Sequence, residues 1–453
     1  MSLGRGTGWP PRAAAARQNR ANTAASNLTC VVKRPLHAVL LPPAAAGGRL
    51  LDLLAAALDG TGPAILPLDP GLPRERLSGI IEAFAPSAVE TPDGVVGTAS
   101  GGRSSRATPT TAGTRGASGT PVGEDTAVVI ATSGSTGQPK GVELSAAALR
   151  HSARASLDRV GAADGERWLC CLPTTHIAGI QVLVRSLVAG VPPVVAERVD
   201  AALMAESGCA HVSLVPTQLR RLLGAAPGQG GPVPWAAGFR SVLLGGAAAS
   251  AGLIAAARAA GLPVVTTYGM SETCGGCVYD GIPLEGVRVV TAEDGRIRIA
   301  GPVLFSGYRL RPDLTASALD AGWFITSDLG TVDASGLVTV RGRADDVINT
   351  GGEKVVAGEV TAALETFPGV REAVVVGRPD AEWGERVTAI VVPESRANVP
   401  TLDLLCQHVR ERLPRYAAPR ELVLLDALPM LPSGKPDLES LRREQSSPGS
   451  VSR

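Results

Sequence analysis

Apolar and polar positions alternate in blocks along most of this chain. Short apolar runs, each long enough for one buried strand, are separated by stretches in which apolar residues recur with helical spacing. The runs lie at 127–130, 168–172, 211–215, 242–244 and 264–267. This alternation predicts an α/β fold built from βαβ units. After Gly286 the pattern becomes alternating, which predicts β hairpins.

Capping residues and periodicity locate the helices. Ser145 is the predicted N-cap and Gly161 the predicted C-cap of one helix. Helical spacing predicts the other helices at 179–189, 251–260, 360–367 and 402–413. With strands at 373–376 and 387–392, the last two helices predict a small α+β unit after Arg343. We therefore expect a large N-terminal domain of layered βαβ sheets plus β hairpins, and a small mobile α+β C-terminal domain.

Composition changes along the chain and suggests domain boundaries. Residues 1–51 contain no acidic residue, as in targeting segments, but they show no sustained amphipathic period, so we expect residues 1–35 to be a disordered extension. Residues 97–119 are rich in Ser, Thr and Gly, like flexible linkers. We predict an N-terminal domain at 36–345, containing this linker, and a C-terminal domain at 346–453. Because the segment before the linker is short, a reduced first sheet is expected.

The overall composition restricts the function. A net charge of +1 and an aromatic content of only 3% argue against a nucleic-acid binder. No apolar run approaches the roughly 20 residues of a membrane helix, so we expect no membrane insertion and a cytoplasmic location. Seven cysteines without regular spacing argue against a disulfide framework. The oligomeric state stays open, with a homodimer as one option.

The segment 132–141, TSGSTGQPKG, has the composition of a phosphate-binding loop. Glycines let backbone N–H groups approach a polyphosphate, hydroxyls add donors, and the lysine supplies positive charge. It is not a Walker A loop, because Gly141 rather than Ser or Thr follows the lysine. Taken alone, the segment could equally be a linker. The residues assigned to phosphate binding are Thr132, Ser133, Gly134, Ser135, Thr136, Gly137 and Lys140.

Further motifs follow this loop in a fixed order. They are YGMSE at 268–272, TSDLG at 326–330, GRADD at 342–346 with GGEK at 351–354, and PSGK at 432–435. Together with the loop, they resemble the adenylate-forming superfamily, which includes acyl-CoA synthetases, peptide-synthetase adenylation domains and luciferases. The resemblance covers roughly residues 120–440. It implies ATP, Mg²⁺ and CoA as the cofactors and co-substrate, and a carboxylic acid as the small-molecule partner.

The same resemblance implies a role for each motif residue. Lys435 would neutralise charge during adenylation, Glu272 would bind Mg²⁺, and Asp345 would be the hinge between domains. The residues implied in nucleotide binding are Gly245, Gly246, Tyr268, Gly269, Ser271, Asp328 and Arg343. Asp328 and Arg343 would hold the ribose hydroxyls, and Tyr268 would stack on adenine. The alternatives are a surface lysine, a surface glutamate, a structural ion pair and a packed tyrosine.

A second group of residues is assigned to the acid substrate. The segment 268–281 is most similar to the 2-succinylbenzoate–CoA ligases of menaquinone synthesis. That resemblance implies that His176 lines the acyl pocket and gates carboxylate entry, and that Cys274 and Gly275 form a close-packed pocket wall. Gln181 and Arg185 lie on a predicted helix that should flank the pocket, although Arg185 could instead point to solvent. Polar donors favour a dicarboxylate over an alkyl chain, so we predict 2-succinylbenzoate.

Other functions remain open at this point. An enzyme of the same fold could pass its acyl group to a carrier protein rather than to CoA, and a catalytically silent homologue could only bind ligands. Cys274 and Cys277 form a Cys-x-x-Cys pair, but no second pair or His cluster accompanies it, which argues against zinc. The favoured interpretation is a two-step ligase that forms an acyl-adenylate and then a thioester with CoA.

Overall fold

The computed structural model describes residues 33–98, 119–133, 139–224, 231–395, 399–431, 435–443 and 451–452. Nearly all of the predicted extension 1–35 and of the linker 97–119 lies outside these residues. The same holds for loop residues Gly134, Ser135, Thr136 and Gly137. A two-residue strand at Lys33 precedes the expected start of structure near Leu36.

The strands of the described residues are, in chain order, β1 Lys33–Arg34, β2 Leu36–Val39, β3 Ala64–Pro67, β4 Ala88–Thr91, β5 Gly94–Gly97, β6 Val122–Gly123, β7 Thr126–Ser133, β8 Pro139–Ser145, β9 Trp168–Cys170, β10 Val194–Val195, β11 His211–Leu214, β12 Ser241–Leu244, β13 Val264–Met270, β14 Gly275–Tyr279, β15 Ile282–Pro283, β16 Arg288–Thr291, β17 Arg296–Ala300, β18 Gly307–Tyr308, β19 Leu319–Asp320, β20 Trp323–Val332, β21 Val338–Arg343, β22 Val347–Thr350, β23 Glu353–Val356, β24 Val370–Asp380, β25 Gly384–Pro393, β26 Glu421–Leu424 and β27 Val451–Ser452.

The α-helices of the same residues are α1 Arg49–Leu58, α2 Arg74–Phe84, α3 Ala146–Val160, α4 Ile177–Ala189, α5 Ala201–Glu206, α6 Pro216–Gly224, α7 Ala251–Ala259, α8 Pro312–Ala318, α9 Ala357–Leu364, α10 Leu402–Arg410 and α11 Leu438–Arg443. None of them is long and apolar enough to cross a membrane.

The first sheet has seven strands in the order β18-β8-β7-β3-β2-β4-β5. The segment before the linker supplies four of them, β2 to β5. Strands β2 and β3 are core strands, because Leu36, Ala38, Ile65 and Leu66 are fully buried. The expectation that the first sheet is reduced relative to the family pattern stays a prediction. Strands β2, β3 and β7 are parallel neighbours.

The second sheet has the order β10-β9-β11-β12-β13-β14-β15, and its first five strands are parallel. The predicted runs between 168 and 267 are therefore adjacent strands. Ligands of open α/β sheets gather at the carboxyl ends of parallel strands. Gly245 follows β12 at this edge, and Tyr268 lies within β13, which extends three residues past the predicted end to Met270.

The predicted caps of helix α3 are confirmed. The Ser145 Oγ accepts a hydrogen bond from the Ala148 N–H over 3.1 Å. Gly161 ends the helix with φ of 61°, a left-handed conformation that glycine adopts without a Cβ clash. Helix α3 packs against α4, and both helices contact β14, the strand that follows the YGMSE segment.

Residues after Arg343 form a separate sheet in the order β23-β22-β25-β26-β27, with β24 paired to β25. Helices α9 and α10 bury Val360, Leu364 and Leu405 against it. Helix α9 begins and ends three residues earlier than predicted, because the chain after Leu364 tightens into i→i−3 bonds. The α/β class, with a large N-terminal part and a small α+β part, is confirmed.

Candidate active site

The loop at 132–141 connects the antiparallel strands β7 and β8. Thr132 and Lys140 are register partners, and the Thr132 hydroxyl donates to the Lys140 carbonyl over 3.2 Å. The Lys140 Nζ lies 5.5 Å from the ring centroid of Tyr308, within the range of a cation–π contact. Of the assigned phosphate-loop residues, the structure thus describes Thr132, the backbone of Ser133, and Lys140.

The turn after β13 presents Ser271 and Glu272. The Thr273 hydroxyl fixes this turn: it accepts from the Met270 N–H over 2.9 Å and donates to the carbonyl oxygen of Gly275 over 2.8 Å. The Tyr308 hydroxyl donates to Glu272 Oε1 over 2.8 Å. Burial and the neighbouring Glu272 carboxylate raise the pKa of Tyr308, so its hydroxyl keeps the proton that it donates.

Three glycines at the sheet edge permit close backbone approach. A Cβ on Gly245 would lie 2.1 Å from the Thr267 Oγ1, and one on Gly269 would lie 2.1 Å from the Gly275 carbonyl oxygen. Gly246 adopts φ of 80°. A residue with a Cβ at these positions would push the backbone away from the edge of the sheet. The shape of the site therefore depends on glycine at these positions.

Asp328 joins two other residues of the proposed nucleotide site. Its Oδ2 accepts from the Tyr268 hydroxyl over 2.8 Å, and its Oδ1 lies 3.9 Å from Arg343 Nη1. Asp328 and Arg343 are register partners on β20 and β21, and the Thr326 hydroxyl accepts from the Asp328 N–H over 3.0 Å. Burial first, and then Asp328, raises the pKa of Tyr268. The structure therefore brings these residues together through a shared carboxylate.

Lys435, in the C-terminal part of the chain, interacts electrostatically with the same carboxylates. The Leu431 N–H donates to the Lys435 carbonyl over 2.8 Å, which holds the backbone of Lys435 beside Leu431. The residue is accessible to solvent, yet surrounding protein atoms and Arg343 lower the pKa of Lys435, whereas Asp328 and Glu272 act in the opposite direction. An ammonium among two carboxylates and an arginine is placed to neutralise phosphate charge.

His176 lies at the N-terminus of helix α4. Its backbone is extended, and it also remains accessible to solvent. Neighbouring protein atoms partly desolvate the imidazole and so lower the pKa of His176. The charge of Lys435 lowers this pKa further, whereas Asp69 raises it. The charge of Lys435 acts on His176, so the two side chains lie close enough to interact electrostatically.

Arg185 is buried, so the alternative that it points to solvent is wrong. Only 5% of the residue is accessible, its Nη2 donates to the Ser213 Oγ over 3.0 Å, and its guanidinium lies 4.1 Å from the Trp168 ring centroid. The Trp168 ring also stacks on the His211 ring, with the centroids 4.8 Å apart. Within the described residues Arg185 has no ion pair, and its Nε has no hydrogen-bond partner. Burial lowers the pKa of Arg185.

Gln181 lies one turn before Arg185 on helix α4 and is also buried. Its Nε2 donates to the Leu149 carbonyl over 3.5 Å, and its Oε1 has no partner among the described residues. A Cβ on Gly275 would lie 3.5 Å from the Gln181 Cγ, so Gly275 faces this helix. Cys274 is fully buried with φ of 53°. Helix α4 and the segment 274–275 are therefore packed against each other.

The cysteines do not form a metal or redox centre in the described part of the chain. The six described cysteines are free thiols, and no group of three or more His, Cys, Asp or Glu residues could hold a metal ion there. Burial and the neighbouring Cys277 raise the pKa of Cys274, so it is not a reactive thiolate. Magnesium differs, because it is usually held by one or two carboxylates plus substrate phosphates, and Glu272 beside the phosphate loop fits that donor set.

Sequence reasoning missed Tyr308, Thr273 and Trp168. Tyr308 lies 36 residues after Glu272, and no pattern in the sequence indicates that β18 returns to pair with β8. Thr273 could have been found, because a hydroxyl three residues after the start of a turn is a common backbone partner. Trp168 was assigned only to a strand, and its contact with Arg185 depends on how helix α4 packs.

Comparison with known proteins places the chain among adenylating enzymes. The family model described as AMP-binding enzyme matches residues 53–309, and the model of the AMP-binding enzyme C-terminal domain matches residues 359–435. A protein of Mycobacterium tuberculosis H37Rv named probable 2-succinylbenzoate–CoA ligase is 45% identical, covering 72% of this chain and 86% of that protein. The 2-succinylbenzoate–CoA ligase of Listeria monocytogenes serotype 4b is 32% identical, covering 71% and 70%.

Solved structures have the same fold. The o-succinylbenzoate CoA synthetase of Bacillus subtilis, in complex with the acyl-adenylate intermediate OSB-AMP, superposes with a TM-score of 0.71 at 26% identity, covering 92% of this chain and 90% of that chain. ATP-bound MatB of Rhodopseudomonas palustris has a TM-score of 0.74 at 24% identity, covering 91% and 88%. The second likeness shows the fold alone.

Proposed function

The chain belongs to the AMP-binding enzyme family, and from that premise we propose that it is the 2-succinylbenzoate–CoA ligase of menaquinone synthesis. The overall reaction converts 2-succinylbenzoate, ATP and CoA to 2-succinylbenzoyl-CoA, AMP and pyrophosphate. The relatives named for this activity and the synthetase structure with OSB-AMP support the assignment. We place the enzyme in the cytoplasm, where ATP and CoA are available. Light scattering would show whether it forms a homodimer.

In the first step, an oxygen of the substrate carboxylate attacks the α-phosphorus of ATP, and the bond to pyrophosphate breaks. Negative charge accumulates between two anions, so positive groups that face this point lower the barrier. Lys435 supplies one such charge, and Lys140 supplies another. Magnesium held by Glu272 would offset charge on the phosphates. Tyr268, Asp328 and Arg343 would hold the nucleoside so that this geometry is maintained.

In the second step, the CoA sulfur attacks the acyl carbon, the bond to AMP breaks, and the thiol proton is released. We propose that residues 346–453 rotate about Asp345 between the steps, so that Lys435 leaves and the loop at 351–352 enters. Arg343 contacts Asp328 and also lies 3.5 Å from Asp345 Oδ2. Arg343 would thus connect the hinge residue Asp345 to the residue Asp328 that holds the ribose. Rotation at the hinge would then be coupled to nucleotide binding.

The observation that carries the choice of acid is the buried guanidinium of Arg185. A buried charge without an ionic partner is costly, and so is a buried carboxylate without a donor. A carboxylate on the benzoate end of the substrate would satisfy both groups. Gln181 Nε2 offers a further donor on the same helix, and Trp168 holds the guanidinium plane by stacking. His176, at the N-terminus of helix α4, would then face the reacting carboxylate.

Steady-state kinetics with 2-succinylbenzoate, benzoate, 4-phenylbutyrate and octanoate test this proposal. We expect the highest kcat/KM for 2-succinylbenzoate. Arg185→Met should lower that value by about 10²-fold while changing the value for 4-phenylbutyrate little, because the loss of a charge-assisted bond affects only the dicarboxylate. Arg258→Met, at an exposed position of helix α7, is the matched control. Higher kcat/KM for octanoate or benzoate would refute the substrate assignment but leave the adenylating mechanism intact.

The acyl acceptor needs its own measurement. An enzyme that loads a carrier protein would release pyrophosphate with the correct acid yet form no thioester with CoA. Mass spectrometry of the products from ATP, CoA and the acid distinguishes the two acceptors. Absence of pyrophosphate release with every acid would instead identify a silent homologue.

A further inference from the structure

Tyr308 lies between two residues that the proposed function assigns to MgATP. Its hydroxyl donates to Glu272 Oε1 over 2.8 Å, and its ring centroid is 5.5 Å from the Lys140 Nζ. One side chain therefore contacts the carboxylate assigned to the cation and the lysine assigned to the phosphates. The two residues belong to different elements, since Glu272 follows β13 and Lys140 is the second residue of β8.

The position of Tyr308 is fixed from several directions. Its backbone pairs with Val142 on β8, and its N–H donates to the Thr315 Oγ1 over 2.8 Å. The Phe305 ring packs edge-on against the Tyr308 ring at 4.9 Å, and the Phe305 N–H donates to the Glu272 carbonyl over 2.8 Å. The tyrosine is consequently a rigid support for flexible glutamate and lysine side chains.

We propose that Tyr308 is a positioning residue that sets the Glu272 carboxylate and the Lys140 ammonium in register for one magnesium–triphosphate group. A carboxylate that accepts one hydrogen bond still has lone pairs for a cation. The bond restricts rotation of the glutamate, and outer partners of metal ligands typically change metal affinity about 10- to 100-fold. The ring, in turn, holds the Lys140 ammonium 5.5 Å from its centroid. The proposal rests on the ATP-dependent function but not on the identity of the acid.

Two substitutions separate the hydroxyl from the ring. Tyr308→Phe removes only the donor to Glu272, whereas Tyr308→Leu also removes the surface under Lys140. Binding of ATP is measured by calorimetry with Mg²⁺ and with EDTA, independently of catalysis. We expect Tyr308→Phe to weaken MgATP binding about tenfold or more and to leave metal-free ATP binding unchanged. Tyr308→Leu should weaken both. Tyr416→Phe, at an exposed tyrosine, is the matched control.

A second measurement keeps the test decisive if a variant is less stable. In the double variant Glu272→Gln/Tyr308→Phe, the loss of MgATP affinity should equal that of Glu272→Gln alone, because both changes remove one function. Independent losses that multiply would overturn the proposal, as would normal MgATP affinity in Tyr308→Phe. In a Lys140→Ala background, Tyr308→Leu should no longer weaken metal-free ATP binding. Failure of the unaltered protein to bind any ATP would refute the proposed function itself.

Discussion

Lys435, Asp328 and Glu272 show how much chemistry depends on the placement of a few charges. Lys435 lies among groups of both signs, and the protein around it lowers its pKa. A lysine with a lowered pKa loses its positive charge at a lower pH than a free lysine. As pH rises, the contribution of Lys435 to adenylation should therefore decline at a lower pH than the pH at which a free lysine loses its charge.

Replacement of Lys435 with alanine should impair only the first half-reaction. We expect acyl-adenylate formation to fall by about 10²–10³-fold or more, as for other lost charge-stabilising donors. Thioester formation from supplied acyl-adenylate should be nearly unchanged, because in the proposed rotation Lys435 leaves the site before that step. Rapid-quench assays of each half-reaction provide the measurement, with Lys33→Ala on the exposed strand β1 as control. Equal losses in both steps would contradict the role of this lysine.

At the scale of the element, the two ends of helix α3 are determined by residues in its immediate sequence neighbourhood. Its first turn is closed by the Ser145 side chain and its last turn by Gly161. It then buries Leu149 and Ala153 against the core that also contains helix α4. The cap therefore contributes to holding the layer in which Gln181 and Arg185 lie.

Loss of the cap should be measurable as a loss of stability. Ser145→Ala leaves the Ala148 N–H without its acceptor and should lower the free energy of unfolding by about 1 kcal/mol. Ser145→Thr keeps a hydroxyl at this position and should cost less. Urea denaturation followed by circular dichroism checks both variants. If alanine and threonine cost the same, the hydrogen bond seen at Ser145 does not stabilise the helix.

At the scale of the whole molecule, the N-terminal part and the C-terminal part meet around the proposed active site. Lys435 couples electrostatically to Asp328 and Glu272, which fits the arrangement for adenylation. Arg220 on helix α6 forms an ion pair of 3.2 Å with Glu372 on β24. In the rotation that we propose for the second step, such contacts would break.

The proposed hinge can be stiffened directly. Asp345 lies in a short turn at 344–346, and proline would fix φ near −65° and restrict Ala344 as well. In Asp345→Pro we expect adenylation to survive and thioester formation to be lost, whereas Asp345→Ala should retain both. Pyrophosphate release and thioester yield in single turnover report the two steps. Normal rates of both steps in the proline variant would place the hinge elsewhere.

Glu365 should make the stability of the folded protein depend on pH, at the place where the C-terminal part lies near Arg220. Burial raises the pKa of Glu365 to about 7, and Arg220 opposes this shift. The folded state thus holds the proton more tightly than the unfolded state, so this contribution to stability is complete below about pH 4.5 and is lost as pH rises through about 7. Glu365→Gln should gain Tm relative to the unaltered protein between pH 5 and 8. A constant difference, as expected for the exposed control Glu353→Gln, would contradict this.

Particular residues show how far the sequence could be interpreted. The caps at Ser145 and Gly161 are local, since each acts within a few residues, so they could be predicted correctly. The boundaries of α9 and of β24 were less accurate, because strand pairing and tight final turns extend or shorten elements beyond their apolar runs. The assignments on Gly134, Ser135, Thr136 and Gly137 stay predictions, as do the hinge and the domain boundaries.

The sequence by itself determined the α/β class, the order of the strands' apolar runs and the set of motif residues, because periodicity and loop chemistry are encoded over short distances. Only the tertiary structure decided which side chains meet. Arg185 looked like a residue that could face solvent, yet helix packing buries it on Trp168. Tyr308 carried no signal at all, yet the pairing of β18 with β8 places it between Lys140 and Glu272. Such contacts join residues tens to hundreds of positions apart, and chain folding alone fixes them.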